Sequence, residues 1–279
     1  MTLTEMRRRL RPPGPVLDVH THPLRDFGPY RVSGPEEDAR GLRSSAERAG
    51  VQHLCIFTLG SGPPPEPSPE QFRQANDYSL RLRDLDPDLF LPFCYVSPGF
   101  PGPSVAEVER CIRGHRMSGV KVWIARRATD PGLDPILEAA RDLGVPVLQH
   151  AWRKTVGQLP GESYPADVAH LARRHPTVPI IMAHLNGVNP RGLEDVADCP
   201  NVLVDTSGGD PECGMVELAV ERLGPKRVVF GSDTPIRHFA VTLSKVLGAR
   251  LDAATRRAIL YDNAAGILPA WAGLARHEG

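Results

Sequence analysis

The chain lacks an excess of charge of either sign, and it lacks a hydrophobic run long enough to span a membrane. Its 279 residues carry 33 Lys plus Arg against 33 Asp plus Glu, a formal net charge of zero. Because a field of one sign recruits nucleic acid or an anionic membrane, we expect neither as a partner. No segment approaches the roughly 20 apolar residues of a membrane span, and the N-terminus lacks the apolar stretch of a secretory signal. We therefore expect a cytoplasmic protein that acts on a small molecule.

Cysteine is also scarce. The chain has five cysteines, an odd number, and no two of them form a C-x-x-C pair. A disulfide framework needs an even set, and a thiolate zinc site needs closely spaced pairs. The cysteines are therefore expected to be reduced and to take no part in metal binding.

What the chain does have is a series of short apolar runs rich in β-branched residues. Runs without polar alternation are typical of parallel strands buried on both faces, and helix-like segments separate them. About 250 residues suffice for a (β/α)₈ barrel, so we predict an α/β fold of this class, a TIM barrel, as a single domain over residues 1–279. The eight predicted strands lie in residues 16–22, 51–59, 89–96, 120–123, 145–150, 178–184, 201–207 and 227–233.

Side chains that bind metals come at or near the end of five of these runs. In a (β/α)₈ barrel the active site lies at the carboxyl ends of the strands, where donors distant in sequence meet. The pattern therefore predicts a metal centre and an enzyme. The candidate donors are His20, His22, Lys121, His150, His184 and Asp233.

His20 and His22 are two residues apart on one predicted strand, so both side chains point to the same face. Asp18 shares that parity, and we expect its carboxylate to orient one of the imidazoles. Each of the other donors has an alternative. His150 and His184 taken singly fit structural roles, and Asp233 also fits a helix N-cap.

The motifs around these donors resemble the amidohydrolase superfamily. Within it, the resemblance is to the amidohydrolase-related branch, which contains aminocarboxymuconate-semialdehyde decarboxylase and related decarboxylases, lactonases and hydrolases. The resemblance implies that His20, His22 and Asp233 bind a metal, with His150 as a further ligand. It implies that His184 either binds a second metal or positions and deprotonates the attacking water. The motifs are LDVHTHP, GVKVW, GVPVLQH, IIMAHLNG, VLVDTSG, VVFGSDTP and YDNAAGIL.

Lys121 bears on the number of metal ions. In two-metal members of the superfamily a lysine at the end of strand four is carboxylated and bridges the ions, and GVKVW fits that position. The alternative is a structural or substrate-anchoring lysine with a single ion. The resemblance implies a divalent metal, and we expect Zn²⁺, with Mn²⁺ or Fe²⁺ as alternatives.

Cationic side chains follow several predicted strands. Arginine recognises carboxylate or phosphate through its planar fork of donors, so these residues indicate an anionic substrate, although they also fit solvated surface charges. Trp123 and Trp152 are candidates for an apolar wall of the pocket. The cations are Arg25, Arg126, Arg127, Arg153, Lys154 and Arg237, of which Arg25, Arg153 and Arg237 are the leading candidates for substrate binding.

Together these features lead us to expect a metal-dependent hydrolase of a small, anionic amide, lactone or cyclic imide. The metal would activate a water, and Asp233 would take its proton with assistance from His184. The alternative is a metal-dependent, non-oxidative decarboxylase of an aromatic or unsaturated carboxylic acid. A barrel that only binds a ligand is a further alternative, which the full donor set disfavours. The oligomeric state stays open, a homo-oligomer included.

Overall fold

A computed structural model describes residues 2, 5, 11–27, 31–60, 66–154, 156–209 and 212–275. Within these residues eight parallel strands form one sheet in which each strand pairs with the next in chain order. Their bounds are β1 Leu17–Thr21, β2 His53–Ile56, β3 Phe90–Val96, β4 Gly119–Val122, β5 Val147–Gln149, β6 Ile180–Met182, β7 Val202–Asp205 and β8 Val228–Val229.

The first strand meets the end of the last one and brings the sheet round into a barrel. The Val19 N–H donates to the Phe230 carbonyl at 3.0 Å, and the Asp233 N–H donates to the His20 carbonyl at 2.8 Å. Thr21 also forms a parallel bridge with Thr234. The prediction of a (β/α)₈ barrel is confirmed, whereas the extent of a single domain over residues 1–279 stays a prediction.

Helices alternate with the strands. Several begin on proline, whose preset φ and missing N–H suit the first helical turn. None of the helices in the described part of the chain is long and apolar enough to cross a membrane. Their bounds are α1 Pro35–Ala49, α2 Pro69–Leu85, α3 Pro101–Glu109, α4 Asp134–Asp142, α5 Pro165–Arg174, α6 Leu185–Asp195, α7 Met215–Leu223, α8 Phe239–Leu247, α9 Ala253–Arg257 and α10 Asn263–Ile267.

Helix α6 begins earlier than the sequence pattern indicates. The pattern predicts only a short helix within residues 189–200, but α6 starts at Leu185, directly after a candidate donor. Asn189 has a non-helical φ of 55° and is followed by Pro190, so the helix is kinked there. Asparagine, glycine and proline in this stretch are poor helix formers, which conceals the helix in the sequence.

The strands are the most buried part of the molecule. Every strand residue is buried except the half-exposed His53. Polar side chains inside such a barrel need partners, since an unpaired polar group away from water carries a large desolvation cost. Buried histidines, carboxylates and a lysine at one end of this barrel therefore need a chemical explanation.

Candidate metal centre

Three of the predicted donors form a compact cluster. His20, His184 and Asp233 each offer a ligand atom, and these atoms lie within 4.8 Å of one another. All three side chains are buried. His20 lies in β1, whereas His184 and Asp233 follow the ends of β6 and β8 and have φ values of 74° and 64°. Left-handed backbone is uncommon outside glycine and concentrates at functional sites.

His22 joins this cluster through Asp233. The Nε2 atoms of His20 and His22 each lie 3.5 Å from Asp233 Oδ1. Donors bound tetrahedrally at about 2.1 Å from one ion are about 3.4 Å apart, so this spacing fits shared coordination. The His22 ring packs edge-on against Phe57 and Phe27, with centroids 4.6 Å and 4.8 Å away.

In these histidines one ring nitrogen, here called the outer nitrogen, is hydrogen-bonded to a neighbouring side chain. That hydrogen bond decides whether the other ring nitrogen keeps a lone pair that can bind a metal. His20 Nδ1 lies 2.8 Å from Asp205 Oδ2, so Nδ1 carries the hydrogen and Nε2 keeps its lone pair. His184 Nδ1 lies 2.9 Å from Ser207 Oγ, whose own hydrogen is donated to Asp205 Oδ1. The Ser207 oxygen must therefore accept from His184, which leaves the lone pair of His184 on Nε2.

His150 is turned the other way. Its Nε2 lies 2.9 Å from Glu162 Oε1, and an ionised carboxylate can only accept, so the lone pair of His150 is on Nδ1. That Nδ1 lies 3.1 Å from His184 Nε2. Two lone pairs at this distance repel unless a cation or a shared proton lies between them. These two histidines therefore fit a metal ion that binds His150 Nδ1 and His184 Nε2.

Burial keeps the imidazoles in the form that binds metals. Loss of hydration lowers the pKa of His20 and His184 well below the ordinary histidine value, and it also lowers the pKa of His22 and His150. For Asp233, burial acts to raise the pKa, but the adjacent His22, His20 and Lys121 side chains outweigh it, so the pKa is lowered. Neutral imidazoles and an ionised carboxylate are what a divalent cation requires.

Lys121 is fully buried in β4, and its Nζ has no hydrogen-bond partner among the described residues. The nitrogen lies 4.4 Å from the centroid of the Phe57 ring. Burial lowers the pKa of Lys121 to about 7, although the charges of Asp205 and Asp233 act in the opposite direction. A buried amine next to the donor cluster is a place where a negative charge would be stabilised.

The cations around the barrel mouth have partners of their own. Lys154 pairs with Glu162 at 2.9 Å, and Arg153 pairs with Asp195 on α6. Arg126 pairs with Glu66 at 2.8 Å. Of the remaining three, Arg25 and Arg127 place their guanidinium groups over Tyr78 and Tyr164, at 4.4 and 4.9 Å from the ring centroids, and Arg237 donates to the Ile236 carbonyl.

Of the residues predicted to bind substrate, Trp152 lies against the donor cluster. Its ring centroid is 4.8 Å from that of His184 and 6.3 Å from that of His150, where the rings stack. Trp123 is half-buried and packs on the hydrophobic core. Substrate binding stays a prediction for all five candidates: Arg25, Trp123, Trp152, Arg153 and Arg237.

Three residues of the site were not predicted. Asp205 and Ser207 are two residues apart at the end of β7, so strand alternation would have placed both on the inner face of the barrel. Glu162 lies in a loop, where no such alternation exists. The expected role of Asp18 is wrong. Its Oδ1 accepts the backbone N–H groups of His20 and Ser232, and Asp205 orients the His20 ring instead.

Solved structures of low sequence identity share the fold. A 2,6-dihydroxybenzoate decarboxylase complexed with 2,6-dihydroxybenzoate matches with a TM-score of 0.72 at 16% identity, over 90% of this chain and 98% of that one. A 5-carboxyvanillate decarboxylase from Sphingomonas paucimobilis matches with a TM-score of 0.68 at 18% identity, over 85% and 83%. A dihydroxybenzoic acid decarboxylase from Polaromonas sp. JS666, with bound manganese and the inhibitor 2-nitroresorcinol, gives 0.65 at 16%, over 82% and 84%.

The expectation of a hydrolase is wrong. The solved structures that resemble this chain are mostly decarboxylases of aromatic acids, which agrees with the alternative reading of the sequence. In the structure His184 Nδ1 is bonded to Ser207 and Nε2 lies 3.1 Å from His150 Nδ1. The expected role of His184 towards water stays a prediction.

The sequence itself establishes the family. No curated protein matches the chain by sequence. A sequence model of the family described as amidohydrolase matches residues 17–270, which include all eight strands and every candidate donor. The chain therefore belongs to the amidohydrolase family.

Proposed function

We propose that this protein is a metal-dependent, non-oxidative decarboxylase of an aromatic carboxylic acid. The observation that carries the proposal is the buried amine of Lys121, which has no hydrogen-bond partner among the described residues and lies beside a cluster of metal donors. Such a site accepts one small anion. The likeness to decarboxylases of dihydroxybenzoates and 5-carboxyvanillate supports an aromatic acid as that anion.

Lys121 and the metal would share the recognition of the substrate carboxylate. Three of the cations around the barrel mouth already pair with carboxylates of the protein. The substrate carboxylate would therefore be recognised inside the barrel. A carboxylate next to Lys121 gives the ammonium form the partner that it lacks in the free protein. Charge-assisted hydrogen bonds of this kind contribute about 1.5–3 kcal/mol.

The metal that fits is a single divalent ion, for which we propose Mn²⁺ in place of the expected Zn²⁺, since a manganese-bound relative of this fold is known. His20, His22, His150, His184 and Asp233 would hold it. When bound, the ion supplies a Lewis acid that withdraws charge from the substrate. Lys121 would stay an unmodified amine, because a single ion leaves no second metal for a lysine carbamate to bridge.

Decarboxylation breaks the bond between the ring carbon and the carboxyl carbon, releases CO₂ and leaves the electron pair on the ring carbon. A proton must then reach that carbon. Asp233 is ionised, and the ring hydrogen of His184 is donated to Ser207 through Nδ1, so neither residue offers a proton in the resting site. Lys121, with a pKa of about 7, is the group that we assign as donor, since its burial favours the neutral amine that remains after transfer.

The test is CO₂ release by the Mn²⁺-loaded protein from carboxyl-labelled hydroxybenzoates and 5-carboxyvanillate. In deuterated water one deuterium should enter the ring at the carbon that lost CO₂. The metal-free protein and the Lys121→Met variant are the matched controls, and both should be nearly inactive. Water addition or ester cleavage without labelled CO₂ from any acid would contradict the proposal.

A further inference from the structure

The loop between β5 and α5 is joined to the metal centre by one carboxylate. This β5–α5 loop comprises residues 150–164, of which the structure describes all but residue 155. Glu162 is buried near its end. Glu162 Oε1 accepts from His150 Nε2 at 2.9 Å, and Oε2 lies 2.9 Å from the Nζ of Lys154. The same Oε2 accepts the Leu159 N–H at 3.2 Å.

The base of this loop is closed by further hydrogen bonds. The Trp152 N–H donates to the Ser163 carbonyl at 2.9 Å, and the Gln158 side-chain amide donates to the Trp152 carbonyl at 3.1 Å. The described tip carries Val156, whose side chain is 83% exposed. The loop thus has a closed base at the metal donors and an exposed apolar tip on the active-site face.

Trp152 lies within this closed base. Its ring stacks on His150 and lies 4.8 Å from His184, and the Lys154 Nζ lies 5.6 Å from its centroid. A change in the Glu162 contacts would therefore move the His150 ring and the aromatic wall together, because both are fixed by the same short segment.

We propose that Glu162 is a positioning residue that couples the β5–α5 loop to the metal centre. One oxygen fixes the His150 tautomer, so that Nδ1 presents its lone pair to the metal. The other oxygen holds Lys154 and Leu159, so that the loop is ordered when His150 is in its binding orientation. The inference rests on the proposed metal centre and adds a connection between metal binding and loop order.

Coupling of this kind is reciprocal. If a bound metal orders the loop, then disturbing the loop must weaken metal binding by the same factor. Lys154 makes its contact on the loop side of Glu162 and was not predicted as a metal ligand. Replacing Lys154 therefore distinguishes two explanations: coupling through the loop, and an effect of Glu162 on His150 alone.

The test measures Mn²⁺ affinity by electron paramagnetic resonance and amide hydrogen exchange across residues 151–163, with Mn²⁺ alone as the probe. Glu162→Gln should weaken Mn²⁺ binding about tenfold to a hundredfold, as for lost outer partners of metal-bound histidines. Lys154→Met should weaken it severalfold. In the unsubstituted protein Mn²⁺ should slow exchange of the Leu159 amide, and in Glu162→Gln this slowing should disappear.

Glu109→Gln is the matched control, because it removes an exposed ion pair between Glu109, the last residue of α3, and Arg113, and it should change neither measurement. Glu162→Asp tests the same contacts if Glu162→Gln fails to fold. Unchanged Mn²⁺ affinity in Glu162→Gln, or weakening there without any effect of Lys154→Met, would overturn the coupling alone. Failure of the unsubstituted protein to bind Mn²⁺ would overturn the metal centre and the coupling with it.

Discussion

The donors of this site are held by different kinds of contact. His20, His150 and His184 each have an outer nitrogen tied to a carboxylate, directly or through Ser207. Asp233 instead faces the Nε2 atoms of two imidazoles. Among the described donors it supplies the negative charge that partly neutralises a divalent ion. Its loss should therefore lower metal affinity more than the loss of any outer partner does.

Asp233→Asn keeps the size of the side chain and one oxygen donor but removes that charge. We expect Mn²⁺ affinity to fall by more than the about 10- to 100-fold that a lost outer partner costs. Titration of the metal-free variant by electron paramagnetic resonance measures this. Asp233→Asn protein that binds Mn²⁺ as tightly as the unsubstituted protein would remove Asp233 from the ligand set.

Lys121→Met should stabilise the metal-free protein in a pH-dependent way. The pKa of Lys121 is lowered from 10.5 to about 7, so between these values the unfolded chain binds a proton that the folded chain does not. Stability of the unsubstituted protein therefore rises with pH over this window, and the destabilisation caused by Lys121 is complete below about pH 7.

The gain from Lys121→Met is thus expected to be on the order of 4 kcal/mol at pH 7 and to vanish towards pH 10.5. Urea unfolding at several pH values, with decarboxylation measured in parallel, checks it. A stability gain accompanied by loss of turnover is the pattern of a residue kept for function. Equal gains at pH 7 and pH 10 would mean that Lys121 has an ordinary pKa.

At the scale of elements, the strands were predictable from sequence and the loops were not. Buried parallel strands leave a continuous apolar run, and the donors His20, His150, His184 and Asp233 could be located because a barrel collects strand ends. Glu162 acts from a loop, where no periodicity fixes direction. The role of Asp205 depends on the distance between β7 and β1, which are far apart in sequence and are brought together only by closure of the barrel.

Close packing of β7, β8 and β1 depends on Gly231. A Cβ at Gly231 would lie 2.9 Å from Asp205 Cγ and 3.0 Å from His20 Cβ. Gly231→Ala should therefore separate the Asp205 carboxylate from the His20 ring and weaken Mn²⁺ binding about tenfold or more, as the loss of that outer partner would. Isothermal titration with Mn²⁺ measures the effect.

Gly266→Ala on α10 is the control, since a Cβ there meets nothing within 4 Å. Removing a glycine from a helix should stabilise the protein by about 0.5–1 kcal/mol and leave metal binding unchanged. Undiminished Mn²⁺ affinity in Gly231→Ala would show that the Asp205–His20 contact is not needed for the site.

At the scale of the whole molecule, the barrel holds several nitrogen donors close together, and this arrangement is unfavourable unless a cation binds among them. Closure of the sheet brings four imidazoles and the Lys121 amine together under low hydration. The 3.1 Å contact between His150 Nδ1 and His184 Nε2 is the most direct sign of this. Metal binding should then stabilise the entire fold, because the ion binds the folded chain and finds no assembled site in the unfolded one.

One Mn²⁺ ion per chain should accordingly raise the melting temperature of the metal-free protein. At a free concentration a hundred times the dissociation constant, linkage gives about 2.7 kcal/mol. For a chain slightly larger than 250 residues that corresponds to a shift on the order of 5 °C. Thermal unfolding of chelator-treated and reconstituted protein, with elemental analysis and intact mass of the same samples, measures both quantities. Two ions per chain together with the mass of an added carboxyl group on Lys121 would instead mean a bridged pair of metals, and the proposed proton donor would then have to be sought elsewhere in the barrel.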